Sequence, residues 1–216
     1  MIKKNTKLRV LTSLTLLALV FFMIKFNFIL AYVLIVLGTL SIIEFTQITK
    51  KIFQKIIYKY ISNIFFIIYL SLLCFFFFFF SNFIHMKAIL FILVFGCIAS
   101  DIGGFVVGRL FKGPRLTKIS PNKTYAGAFG SIMFTCLTIT LTVFILSNVF
   151  SYLILFVSIF TSVSCQIGDL LFSYLKRKAR IKDTGSFLPG HGGILDRLDG
   201  MLLGVPLGLV SIMIFI

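Results

Sequence analysis

Apolar residues run through this chain in long blocks, and short polar stretches punctuate them. Seven apolar spans follow one another at approximately 10–24, 26–43, 61–80, 88–107, 126–146, 151–172 and 200–216. A helix rising about 1.5 Å per residue needs about 17–25 residues to cross the hydrocarbon core. The pattern therefore predicts an all-α integral membrane protein with about seven transmembrane helices. The first span is short by that measure, and Leu8 with a snorkelling Arg9 would extend it. Lysines ahead of it resemble a secretory signal. No small-residue cleavage site follows, however, and Lys25 leads directly into the next span, so a retained helix is expected.

Composition agrees with the pattern. With 59% hydrophobic and 12% charged residues, the chain has too little polar surface for a soluble domain of 216 residues. The phenylalanine run 75–80 reads as lipid-facing filler. Cys74, Cys97, Cys136 and Cys165 all fall inside apolar spans without CxxC spacing, which makes them small hydrophobes.

Charge adds topology. Lysine and arginine number 21 against 6 acidic residues. Such an excess points to nucleic acid, anionic lipid or phosphate-rich ligands. Because the basic residues lie between apolar spans, nucleic acid is not expected. With the N-terminus in the cytoplasm, all of the 21 except Lys25 and Lys87 fall on the cytoplasmic side. The expected organisation is an N-terminal set of transmembrane helices over 1–96 and a second transmembrane region over 97–216. The second region carries cytoplasmic loops at 109–124 and 173–199. Within the first part, 44–60 has apolar residues at helical spacing with lysines interspersed; an interfacial helix and a solvated basic connector both fit.

The acidic residues locate the chemistry. Glu44 ends the second span and is assigned no role. Asp101, Asp169, Asp183, Asp196 and Asp199 lie near the cytoplasmic ends of spans four, six and seven, or in the loop between the last two. A charge at membrane depth costs about 2.5–3.5 kcal/mol on insertion scales, so Asp101 and Asp169 need a structural cation partner or a function. Gln166, Asp169, Ser173, Lys176, Arg177 and Arg180 recur at three- and four-residue spacing and so share one helical face. Asp196 and Asp199 are three apart, and paired carboxylates facing such a stripe suit Mg²⁺. Between these helices, 182–193 holds four glycines and His191. Glycine lets backbone approach an anion closely. The 109–124 loop, with five basic residues and three hydroxyls, suits phosphate.

The stretch 173–199 reads Ser173-Tyr-Leu-Lys-Arg, then Lys182-Asp183, then Pro189-Gly-His-Gly-Gly-Ile-Leu-Asp-Arg-Leu-Asp199. It resembles the motif of the phosphatidate cytidylyltransferases (CDP-diacylglycerol synthases). Asp101 through Arg109, Ser120-Pro-Asn-Lys-Thr-Tyr125 with Gly127, and Gln166-Ile-Gly-Asp169 agree with the same family, so the resemblance covers about residues 97–200. Ala126 stands where the family usually has Glu, and the chain is short at its N-terminal side. The resemblance implies a reaction between CTP and phosphatidic acid that yields CDP-diacylglycerol and pyrophosphate. It also implies Mg²⁺, with a second, monovalent cation as a further expectation.

The roles expected on that basis are as follows. Asp169 and Asp196 are the principal metal ligands, with Asp183 and Asp199 in or beside that shell. Lys176, Arg177 and Lys182 bind triphosphate, helped by the backbone of Gly192 and Gly193. Ser120, Lys123, Thr124 and Arg109 contact nucleotide or lipid phosphate; Ser173, His191 and Arg197 complete the substrate contacts. The expected setting is a bacterial inner membrane with the site facing the cytoplasm, membrane lipid as partner, and a homodimer among the assemblies. Competing readings are a CTP-dependent lipid kinase of the dolichol or phytol kinase type, a CDP-alcohol phosphotransferase, and a transporter. The phosphotransferase motif begins with Asp-Gly and spaces its later acids by four.

Overall fold

The computed structural model describes residues 15, 17–117, 119–148, 150–185 and 192–215. Residues 17–25 are helical (α1). There follow α2 (Asn27–Ile52), α3 (Ile56–Ser81), α4 (Ile84–Phe111), α5 (Tyr125–Ser147), α6 (Tyr152–Lys178), α7 (Leu195–Leu198) and α8 (Met201–Phe215). Among the described residues there is no strand, and an isolated bridge joins Arg115 to Thr124. Six helical segments are long and apolar enough to cross a membrane, the last of them running Leu195–Ile214. The chain is an all-α integral membrane protein. Of the expected first span, 10–24, residues 17–24 fall in α1, and residues 10–14 and 16 lie outside the described residues.

The helices overrun the apolar spans at their basic ends. The apolar span 26–43 becomes α2, which runs on through Lys50 and Lys51 to Ile52. At 26 residues it is about 39 Å long, more than the roughly 30 Å core requires. The 44–60 stretch is thus the continuation of α2, a three-residue link, and the start of α3, rather than an element of its own. Lysines at a helix C-terminus complement its macrodipole, which is why the basic residues do not end α2 earlier.

The chain forms two compact units. One comprises the described parts of Met1–Lys87 together with Leu175–Arg197; the other comprises Ala88–Tyr174 and Leu198–Ile216. In the first, α2 and α3 form an antiparallel hairpin. Asn27 Nδ2 donates to the Ser81 carbonyl at one end, and Thr49 Oγ1 donates to Asn63 Oδ1 (2.7 Å) at the other. Between them Phe45 and Phe66 stack at 3.9 Å. Lys87 Nζ donates to Asn27 Oδ1 (2.6 Å), tying down the end away from the link.

The second unit packs through small residues. In lipid there is no hydrophobic drive between helices, so close backbone approach and hydroxyl hydrogen bonds hold them. A Cβ on Gly103 of α4 would stand 2.5 Å from the Gly130 carbonyl of α5. Ser131 donates to the Ser100 carbonyl (2.8 Å) and Thr135 to that of Gly96 (3.3 Å). Ser100 and Ser162 share a hydrogen bond that joins α4 to α6 (3.2 Å).

Candidate active site

In the first unit, the last turn of α6 and the residues after it make a small, fully connected polar cluster. Arg180 adopts a left-handed conformation (φ 55°), and the Arg180 and Ile181 N–H groups close on the Arg177 and Lys176 carbonyls. This is a Schellman-type stop, and it reverses the chain into 182–185. Asp196 then collects three donors. Lys176 Nζ donates to Oδ1 (2.8 Å), while the Thr184 and Gly193 N–H groups donate to Oδ2 (2.8 and 3.1 Å). Both side chains of the ion pair are nearly buried, at 12% and 11% exposure. Arg177, Lys182, Asp183 and Arg197 are exposed. The Gly193 N–H, expected on a phosphate, is turned to Asp196. Gly192 takes a positive φ of 82°. His191 lies outside the described residues.

A second carboxylate underlies this cluster. Glu44 of α2 is fully buried. It accepts from Thr184 Oγ1 (2.6 Å), Ile194 N (3.0 Å) and Leu195 N (2.8 Å). Sequence reasoning gave Glu44 no role. The signal that would have found it is its position: an acidic residue at the end of an apolar span needs a partner. That partner lies about 140 residues away in sequence.

In the second unit, Asp169 of α6 is ion-paired with Lys123 and accepts a long hydrogen bond from Ser173 (3.4 Å). This pair keeps water access, at 29% and 25% exposure. A hairpin-like loop presents Lys123. Lys112 (φ 50°) and Gly113 (φ 110°) end α4, Leu116 N donates to the Lys123 carbonyl (2.7 Å), and Lys123 N donates to that of Ser120 (3.0 Å). Thr124, expected on substrate, caps α5: its Oγ1 accepts from Gly127 N (3.1 Å). Ser120 is half-buried, and Arg109 is exposed with its guanidinium over the Phe105 ring (5.9 Å). Asp101 is exposed on α4. Asp199 is buried and accepts from Gly200 N (2.9 Å). A turn at 199–200 follows α7, so Asp196 and Asp199 do not share one continuous helix.

Among the described residues each unit shows one Asp–Lys pair, and α6 contributes to both, through Asp169 and Lys176. Among the described residues no three His, Cys, Asp or Glu side chains gather as a ready-made metal cage. Mg²⁺ does not need one, since it is commonly held by one or two carboxylates together with substrate phosphates and water. Carboxylate oxygens already balanced by lysines fit that mode.

The profile of a cytidylyltransferase family matches residues 2–215. A phosphatidate cytidylyltransferase of Rickettsia felis is 34% identical over 217 residues, covering 94% of this chain and 91% of its own length. The phosphatidate cytidylyltransferase of Helicobacter pylori strain 26695 is 45% identical over 60% of this chain. That of Mycobacterium leprae is 42% identical over 52%. The matched stretches span 48% and 36% of the latter two proteins, less than half of each. The family profile and the Rickettsia relative both extend over nearly the whole chain, well beyond the motif-bearing region, and on that ground the chain belongs to the cytidylyltransferase family.

Proposed function

We propose that this protein transfers the cytidylyl group of CTP to phosphatidic acid, releasing pyrophosphate and leaving CDP-diacylglycerol in the membrane. The observation that carries the reading is the pairing on α6, where Asp169 is matched to Lys123 and Lys176 to Asp196. Each pair offers a carboxylate for a cation and an ammonium for a phosphate. The Rickettsia relative's name supplies the substrate class.

The chemistry asks for no more than such groups. A phosphate monoester has a second pKa of about 6, so the lipid phosphate is already a competent nucleophile at neutral pH. Its oxygen attacks the α-phosphorus of CTP, the bond to the β-phosphate oxygen breaks, and pyrophosphate leaves with the electron pair. The barrier is the approach of two polyanions and the charge that grows on the leaving group. In each unit the paired lysine, Lys123 or Lys176, can answer such charge by exchanging its aspartate for phosphate oxygens. Arg177, next to Lys176 in sequence, and Lys182 are exposed and add positive charge. Asp169 and Asp196 would each offer a carboxylate oxygen to Mg²⁺, which when bound supplies charge neutralisation of the phosphates. The basic loops and the N-terminus face the cytoplasm of a bacterial inner membrane, where CTP is available.

The test is purified protein in lipid-detergent micelles with CTP, phosphatidic acid and Mg²⁺. CDP-lipid and pyrophosphate in equal amounts are expected. Release of CDP with a newly phosphorylated lipid would instead establish kinase chemistry. The relatives' shared name supports nucleotidyl transfer over that reading.

A further inference from the structure

We infer that Glu44 is a positioning residue that holds the Asp196-bearing segment in register, and that its buried carboxylate tunes how that segment binds a metal–nucleotide ligand. The inference rests on the activity proposed above only for its functional half.

Its geometric half stands on three observations within one compact unit. First, Glu44 is fully buried, yet its three donors among the described residues are neutral: one hydroxyl and two peptide N–H groups, all at 2.6–3.0 Å. An ionised group in such a place is tolerated only when its hydrogen bonds are complete. Second, those donors sit on both sides of the 186–191 segment in sequence. Thr184 lies before it, Ile194 and Leu195 after it, so one carboxylate clasps the two flanks. Third, the same flanks hold Asp196. Thr184 gives its hydroxyl to Glu44 and its N–H to Asp196, while the consecutive N–H groups of 193, 194 and 195 are divided between the two acids.

The glycines fit the clasp. A Cβ on Gly185 would stand 2.5 Å from Glu44 Oε1, and one on Gly193 would stand 2.6 Å from Glu44 Oε2. These glycines admit the carboxylate. Glutamine has the right shape and the wrong chemistry: whichever way its amide turns, an NH₂ faces at least one peptide N–H. Removing the acceptor should loosen 184 and 193–195, and with them both backbone donors to Asp196 Oδ2.

The experiment compares full-length wild type with Glu44→Gln in micelles. Hydrogen exchange at the Ile194 and Leu195 amides, which needs no substrate, should speed up by about tenfold or more. The Mg²⁺ concentration for half-maximal CDP-lipid formation should rise by about 10–100-fold, the usual cost of losing an outer-shell partner. The KM for phosphatidic acid should stay within about twofold, since the clasp bears on the metal–nucleotide side. Thr184→Val, which removes one of the three donors, should shift exchange and Mg²⁺ dependence the same way by less, and it serves if Glu44→Gln does not fold. Unchanged exchange at 194–195 overturns the clasp. Faster exchange with unchanged Mg²⁺ dependence overturns the positioning role. A wild type that makes no CDP-lipid overturns the activity reading instead, and the exchange result still decides whether Glu44 holds the segment.

Discussion

Asp169 and Asp196 each meet a lysine, but what else holds them differs, and so should the consequences of losing their charge. Asp196 Oδ2 accepts from two peptide N–H groups in a site about 11% exposed. Asparagine there sets an amide donor against a peptide donor, or turns its NH₂ toward Lys176. Leaving such groups unsatisfied costs about 1–3 kcal/mol, so Asp196→Asn should lower thermal stability as well as activity. Among the described residues Asp169 meets Lys123 and a 3.4 Å contact from Ser173, both near water. Partly exposed pairs contribute about 0–1 kcal/mol, so Asp169→Asn should melt like wild type while turnover falls by roughly 10²–10³-fold. Melting curves and initial rates on the two purified variants check the contrast. If Asp169→Asn turns over at near wild-type rate, the proposed metal role of Asp169 fails. At this scale the motif residues were legible in the sequence because helical spacing alone puts Asp169, Ser173 and Lys176 on one stripe. Glu44 was not, because its meaning lies in a contact across about 140 residues. Gly185 and Gly193 were legible as close-approach positions, but the group that approaches them could not be read from spacing.

Helix ends explain where the element-scale expectations moved. Apolar runs mark where lipid is, whereas helices stop where caps are. α2 continues through two lysines because they suit its C-terminus, and α5 begins at Tyr125 because Thr124 caps it. The cap gives Thr124 a structural duty distinct from the substrate contact expected of it. Thr124→Ala should cost about 1 kcal/mol of stability, and Thr124→Ser, which keeps the acceptor, should cost little. Thermal melts of both variants measure this. A loss of activity in Thr124→Ala without a loss of stability would return the hydroxyl to the substrate. Packing between elements is less forgiving. A Cβ on Gly130 would collide with Val107 Cβ and Cγ2 and stand 2.8 Å from the Gly103 carbonyl. Gly130→Val must therefore push α4 and α5 apart. Overpacking of this kind costs about 1–3 kcal/mol, and a lowered melting midpoint should follow.

At the scale of the whole molecule, two facts were never both visible in the sequence. The placement of the six long apolar helices follows from hydropathy, because lipid requires every backbone group to be satisfied internally and helices do so locally. The grouping of those helices does not follow. The 175–197 segment belongs with α2 and α3, which precede it by about a hundred residues, and hydropathy carries no trace of that partnership. Orientation lies between the two, since it depends on a charge count that is global but simple. Lys112, Arg115 and Lys123 follow α4, whereas His85 and Lys87 mark its other end. The positive-inside rule then predicts residue 112 in the cytoplasm and residue 85 outside. Single cysteines introduced by His85→Cys and Lys112→Cys, in a chain whose four native cysteines are replaced by alanine or serine, make this measurable with a membrane-impermeant thiol reagent. In sealed right-side-out vesicles residue 85 should label and residue 112 should not; inverted vesicles should reverse the result. The opposite pattern would place the Asp–Lys pairs away from cytoplasmic CTP, and the proposed activity would fail with it. Labelling at both positions from one side would instead show that α4 does not cross. Its 28 residues, about 42 Å of helix with apolar residues from Ala88 to Val107, leave little room for that outcome.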